Sequence, residues 1–285
     1  MDPGSLKQAE QYLLEIKHRL APISETPGLD AQVLLAHLLG VSRAWILAHP
    51  QANLTPEQSL QLEENLTRLE AGQPLPYVLG QWEFYGHMFR VTPDVLIPRP
   101  ETELLVERAI GWLAKNPERR LAADVGTGSG CIAISLARQI QDLRVLALDI
   151  SLPALRVAQD NACRHQVQQQ ILCVQSDLLS ATDRSLDLIC ANLPYIPSTT
   201  LRQLKVYGKE PGLALDGGAD GLQPIRRLLW AARDQLAEGG RMLLEIEASQ
   251  GPAVLDLCRR VFPGASIELH TDLAGRDRLV EIERV

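Results

Sequence analysis

The sequence predicts an α/β protein built on a mostly parallel sheet, with a small all-helical domain ahead of it. Three observations carry this. Continuous Val/Ile/Leu runs alternate with helical patterns through the C-terminal two thirds of the chain, as expected for buried parallel strands covered on both faces. The last two runs are joined only by a short loop around Leu273 to Arg276, too short for a parallel crossover, so the sheet must end in an antiparallel strand. The first 75 residues instead show apolar spacings of three and four, the period of amphipathic helices.

Taken in order, Leu6, Ala9, Leu13, Ile16 and Leu20 share one helical face, and LDAQVLLAHLLG forms a second helix closed by Gly40. Thr55-Pro56-Glu57-Gln58 joins a capping threonine, a proline at the first helical position and a reciprocal glutamine, which opens a helix through Leu62, Leu66 and Leu69. Residues 1–75 are therefore a small helical domain, for which a protein-docking or lid role fits better than reading nucleic acid. Residues 76–97, with QWEFYGHMFRV broken at Gly86, read as a β-hairpin linker. Residues 98–285 hold seven strand patterns: LAADVG, RVLALD, ILCVQSD, LDLICANLP, RMLLEI, SIELHTD and RLVEIERV. Between them lie helices starting at Ser129, following Ser151, running through Ile225 to Leu236, and ending at Phe262.

Composition narrows the function classes. With 46% hydrophobic and 22% charged residues, the 285-residue chain is globular rather than disordered. A formal charge of -7 argues against a broad phosphate-binding face and hence against stable nucleic-acid binding. The helical domain carries five basic against nine acidic residues, which does not suit a nucleic-acid reader. No apolar run spans a bilayer and the start MDPGSLKQAEQ lacks signal-peptide layout, so the expected location is the cytoplasm, without a membrane partner. Cys131, Cys163, Cys173, Cys190 and Cys258 are scattered, and the histidines lack ligand spacing, so neither a disulfide frame nor a metal site is predicted. Trp45, Trp82, Trp112 and Trp230 fall on different elements and read as packing residues.

The strongest local signal is Asp124-Val125-Gly126-Thr127-Gly128-Ser129-Gly130, where a strand turns into a helix at the sheet edge that binds ligands in open α/β folds. Its third glycine falls one residue too early for a dinucleotide fingerprint, position 131 being Cys131. Asp149 ends the second strand, 19 residues after Gly130, where a carboxylate can accept from both hydroxyls of a ribose or cap the next helix. Asp177 lies at the end of the third strand, placed to accept from an adenine amino group while Leu178 covers the ring. The fourth strand runs out into Asn192-Leu193-Pro194-Tyr195.

Glycine turn, Asp149, Asp177 and NLPY at successive strand ends resemble the class I S-adenosylmethionine-dependent methyltransferases, in the branch that methylates planar nitrogens through an N/D-P-P-Y motif. DAQVLLAHLLG, PLPYVLGQWEFYGHMFRVTPDVLIPRPETELLVE, NLPYIP, KEPGLALDGGADGL and DLAGRDRLVEIE extend the resemblance over nearly the whole chain, to the bacterial release factor glutamine methyltransferases. The resemblance implies a doubly wound seven-stranded sheet with the last strand antiparallel. It also implies S-adenosyl-L-methionine as methyl donor, and peptide-chain release factors as partners, methylated on the amide nitrogen of the glutamine in their GGQ motif. That is the activity of a protein-glutamine N-methyltransferase in translation termination. Asp124, Gly126, Thr127, Gly128, Ser129, Gly130, Asp149, Asp177, Leu178 and Asn192 are then the expected cofactor residues. Asn192, Leu193, Pro194 and Tyr195 are the expected catalytic and substrate-binding residues.

An amide nitrogen is a poor nucleophile, so such a site must hold it in line with the methyl group. The Asn192 side-chain oxygen and the Leu193 carbonyl can each accept one N–H, and Tyr195 can pack on the flat group. No general base is called for, because the nitrogen becomes acidic once methylated. Leu193 stands where the family usually has proline; it supplies the same carbonyl without the fixed φ. Arg99 and Glu210 also match family segments, and border either the methionine end, the substrate entrance or ordinary loop structure. The alternatives to a protein methyltransferase are a DNA or RNA amino-methyltransferase and an inactive cofactor-binding module.

Overall fold

A computed structural model describes residues 7–285. The MDPGSL start, Leu6 included, lies outside the described residues. The chain divides into two compact units, the first ending at Gly80 and the second running Gln81–Val285.

In the first unit, α1 (Ala9–Leu20), α2 (Pro27–Leu39), α3 (Arg43–Ala48), α4 (Pro56–Glu70) and α5 (Leu75–Leu79) enclose a core of Ile16, Leu34, Leu35, Ile46, Leu62 and Leu66. The sequence signals act as anticipated. Gly40 ends α2 in the left-handed conformation, and Thr55 and Gln58 cap α4 reciprocally, with Thr55 Oγ1 accepting from the Gln58 N–H and Gln58 Oε1 from the Thr55 N–H. Two short helices escaped the periodicity. α3 is started by Ser42, whose hydroxyl oxygen accepts from Trp45 N–H at 3.1 Å, and α5 lies in PLPYVL, at the start of the segment the sequence assigns to the hairpin linker.

The second unit opens with the hairpin β1 (Gln81–Phe84) and β2 (His87–Arg90), whose two-residue turn puts both Tyr85 and Gly86 at positive φ, matching the right-handed strand twist. It continues through α6 (Glu103–Lys115), β3 (Leu121–Val125), α7 (Cys131–Gln139), β4 (Arg144–Asp149), α8 (Leu152–Arg164), β5 (Ile171–Gln175) and β6 (Leu186–Ala191). The short α9 (Ser198–Leu201), α10 (Gln223–Gln235), β7 (Leu236–Glu245), α11 (Gly251–Val261), β8 (Ser266–Thr271) and β9 (Asp277–Glu283) complete it. α6 was not foreseen, although Leu105, Val106, Ala109, Trp112 and Leu113 form its buried stripe. α7 starts at Cys131 rather than Ser129, because the glycines at positive φ carry the chain through two further residues before helical geometry begins.

The seven strands order as β5-β4-β3-β6-β7-β9-β8. β3 to β7 pair in parallel; β9 inserts between β7 and β8 and is antiparallel to both. Alternate residues feed opposite cores. Ala122, Leu188 and Cys190 pack toward α6 and α7, whereas Ala123, Ile189 and Ala191 pack toward α10 and α11. Because β4 and β5 build outward from one side of β3 and β6 from the other, the strand order reverses between β3 and β6. The carboxyl ends of those two strands therefore open a crevice. No helix among the described residues is long and apolar enough to cross a membrane.

Candidate active site

A cavity of about 400 Å³ lies at this crevice, a size typical of small-molecule sites. It is lined by Gly126, Thr127, Gly128 and Ser129 after β3, Asp149 after β4, Asp177 and Leu178 after β5, and Asn192, Leu193 and Pro194 after β6. An adjoining cavity of about 220 Å³ shares Asn192, Leu193 and Pro194 and adds Tyr195 and Ile196. The structure thus brings together the loops that the sequence singled out. Asp124 and Gly130 line neither cavity.

Asp124 instead braces the turn from beneath. Fully buried, it accepts from the Thr127 hydroxyl at 2.6 Å and from Ala133 N–H at 3.1 Å, tying the turn to the first turn of α7. Burial pushes its carboxyl up to about 6. Gly126 has φ +76, and a Cβ there would come within 3.1 Å of Leu193 Cδ2, so glycine lets the β6 segment close against the turn. Gly126 and Thr127 N–H both donate to the Leu148 carbonyl, and Gly128 N–H donates to Asp149 Oδ2 at 2.9 Å.

Asp149 is held from two sides, since its Oδ1 also accepts from Ser151 N–H at 2.9 Å. Burial raises its carboxyl above the ordinary value while these N–H groups pull it back down. Each oxygen keeps a lone pair for the cavity it lines. Asp177 pairs with Arg227 at 2.6 Å near the surface. Leu178 is in the left-handed region at φ 54, rare for a branched residue, and the Ser176 hydroxyl donates to its carbonyl at 2.8 Å.

The segment after β6 is held by distant partners. Asn192 Nδ2 donates to the buried Thr102 Oγ1 at 3.0 Å. The Tyr195 carbonyl accepts from Gln250 Nε2 at 2.9 Å, and Ile196 exchanges backbone bonds with Leu215 and Gly217. Gly221, at φ +74, passes so close that a Cβ would stand 2.4 Å from the Tyr195 carbonyl oxygen, which explains why the LDGGADGL loop is glycine-rich there. Burial raises the Tyr195 phenol to about 12, keeping it neutral.

Arg99 lines both cavities and forms an ion pair with the buried Glu210, whose other oxygen accepts from Ile97 N–H at 3.1 Å. The sequence did not single out Thr102, Arg227 or Glu245. Glu245, the last residue of β7, is 2% exposed, and burial pushes its carboxyl up to about 7. The signal available for it was a lone glutamate closing an otherwise apolar strand, RMLLEI.

The strand order, the inserted antiparallel strand and the cavity at the β3–β6 switch point define a class I S-adenosylmethionine-dependent methyltransferase. A ribosomal protein L11 methylase from Lactobacillus delbrueckii subsp. bulgaricus shares the fold, with a TM-score of 0.50 at 24% identity, over 69% of this chain and 84% of that one. The PrmC N-terminal domain family matches residues 11–80, and the methyltransferase small domain family matches residues 101–204. A release factor glutamine methyltransferase from Moorella thermoacetica is 43% identical over 94% of this chain and 95% of its own length. Another from Koribacter versatilis is 39% identical over 97% of both. The chain belongs to the release factor glutamine methyltransferase family.

Proposed function

We propose that this protein transfers the methyl group of S-adenosyl-L-methionine to the side-chain amide nitrogen of the glutamine in the GGQ motif of peptide-chain release factors, in the cytoplasm. The observation that carries this reading is Asn192, which lines both cavities with its amide nitrogen turned to Thr102. That leaves its oxygen as an acceptor between a cofactor-sized space and a smaller one.

The residues present fit the cofactor. The lone pairs left on Asp149 suit ribose hydroxyls; the second oxygen of Asp177 and the side chain of Leu178 suit an adenine ring. The Gly126–Ser129 turn, free of side-chain bulk at its glycines, allows close approach of a ligand. When bound, S-adenosylmethionine supplies a methyl group made electrophilic by its sulfonium charge.

Toward the glutamine, the Asn192 oxygen and the Leu193 carbonyl each accept one N–H of the primary amide. Both lone-pair dipoles then face the nitrogen as it gains positive charge. Tyr195 and Pro194 wall the smaller cavity and exclude water around the amide. Leu193 fills the space beside Gly126 with its buried side chain, so its carbonyl is fixed by packing rather than by a proline ring. Helices α1–α5 form the unit that docks the release factor, which supplies binding energy remote from the reacting amide.

The test is transfer of labelled methyl to a release factor, to the same factor with its GGQ glutamine replaced, and to bulk DNA and RNA. Label confined to the intact factor is expected. Equal label on the altered factor, or label on nucleic acid, overturns the proposal.

A further inference from the structure

The Asn192 side chain has two ends of similar shape and opposite character. Rotated by half a turn, its amine would face the substrate amine, donor against donor, and the site would repel the group it must hold. What sets the orientation is a buried chain of side chains from three elements. In the β6–β7 register Ala191 pairs with Leu244, so the next residues, Asn192 and Glu245, stand side by side at the carboxyl ends of these strands. Thr102 reaches them from the turn before α6. Both Thr102 and Glu245 are 2% exposed.

Asn192 Nδ2 donates to Thr102 Oγ1 at 3.0 Å, and the Glu245 carboxyl lies close enough to both that the Thr102 hydroxyl and the Asn192 amine each favour its anion. With its carboxyl pushed up to about 7, Glu245 is the anion above that pH and then only accepts, which gives the group one direction: the Asn192 N–H toward the Thr102 oxygen, and the Thr102 hydroxyl proton toward the carboxylate. Resting on the function proposed above, we propose that Thr102 and Glu245 are positioning residues, which lock the Asn192 amide with its oxygen toward the substrate nitrogen and polarise that oxygen toward the charge developing there.

Two further features agree. The Glu245 Oε2 has no hydrogen-bond partner among the described residues. A buried carboxylate with an unsatisfied oxygen weakens a fold, so its place here is better explained by the amide it faces than by stability. Its charged surroundings are mixed: Arg278 favours the anion, whereas Glu101 and desolvation oppose it, and the Tyr195 phenol on the same side stays neutral. Hydrogen bonds in a low-dielectric interior polarise one another, so negative charge at the carboxylate end enriches the Asn192 oxygen at the other. That enrichment counts most when the substrate nitrogen turns positive, and it therefore acts on kcat more than on substrate binding.

The test compares Glu245→Gln, Thr102→Val and Thr102→Ser with the parent chain. It measures steady-state methylation of a release factor, calorimetric binding of S-adenosylmethionine, melting temperature, and the Asn192 side-chain amide signals by NMR. Glu245→Gln and Thr102→Val are expected to lower kcat about 100-fold, the cost of a misplaced reacting partner, with KM and cofactor affinity near the parent values. Thr102→Ser, which keeps the hydroxyl, is expected to restore kcat to within about threefold. Glu245→Gln should keep or raise the melting temperature, which a purely structural role would not allow.

A kcat within about threefold of the parent in Glu245→Gln, or equal rates for Thr102→Ser and Thr102→Val, overturns the proposal. The NMR signals separate this from the function itself. Asn192 amide protons that exchange slowly with solvent in the parent and fast in Glu245→Gln support the lock whichever substrate is methylated, and unchanged exchange overturns it. A parent chain that leaves release factors unlabelled overturns only the function.

Discussion

The two loops that meet at the cavity are built in opposite ways. The glycine turn after β3 is held by its immediate neighbourhood: Asp124 to Thr127 and Ala133, and the turn amides to Leu148 and Asp149 on the adjacent strand. The Asn-Leu-Pro-Tyr-Ile segment after β6 is held from afar, by Thr102, Leu215, Gly217 and Gln250. A surface that only has to receive a ligand can be made locally. A group that must be aimed within a fraction of an ångström draws on the packing of the entire Gln81–Val285 unit, and inherits any disturbance to it.

Breaking the aimed side should have the largest effect. Asn192→Ala removes the accepting oxygen and is expected to lower kcat about 100- to 1000-fold, with little change in S-adenosylmethionine affinity; labelled-methyl turnover and calorimetry measure the two. Breaking the receiving side should show the converse. Asp149→Asn sets an amine against one of the two backbone N–H groups and is expected to weaken cofactor binding about 10- to 100-fold, while kcat at saturating cofactor stays within about threefold. If both variants lose kcat and affinity together, the division between the loops fails.

Smaller perturbations sharpen it. Gln250→Leu removes a bond to the Tyr195 carbonyl from outside the cavities and is expected to lower kcat about 10-fold, with cofactor affinity intact. The smallest effect belongs to the brace under the turn. Asp124 titrates at about 6 in the folded chain against an ordinary 3.8, so between those values the folded chain holds a proton that the unfolded chain has lost. Its contribution to stability therefore falls as pH rises through that window and is level above it. Urea unfolding at several pH values should show a flatter dependence for Asp124→Asn than for the parent, by at most about 1.4 kcal/mol per pH unit.

The same division explains what the sequence made legible. The seven strands are visible because each is rich in aliphatic residues, and Asp149, Asp177 and the glycine turn because each sits at a strand end or within two residues of one. The short α3 and α5 were hidden, since five or six residues carry too little periodicity to compete with proline and aromatic signals. α6 lay within a segment valued for its motif rather than its spacing. Thr102 stands 90 residues before Asn192, and only tertiary structure joins them. Glu245 closes the strand RMLLEI, a pattern that points to burial of its carboxyl but not to the Asn192 amide that tertiary structure sets beside it.

The inserted strand bears on how such a chain is made. β8 has no partner in the sheet except β9, which the ribosome produces later, and β9 then lies between two strands already synthesised. A nascent chain therefore carries β7 with one open edge and β8 unpaired until β9 has emerged, leaving strand edges exposed to misassociation. The parallel half of the sheet, where every residue of the crevice but those on the far loops originates, can form beforehand. Completion of the antiparallel half is the step on which chaperones and mutations near β9 should act most strongly.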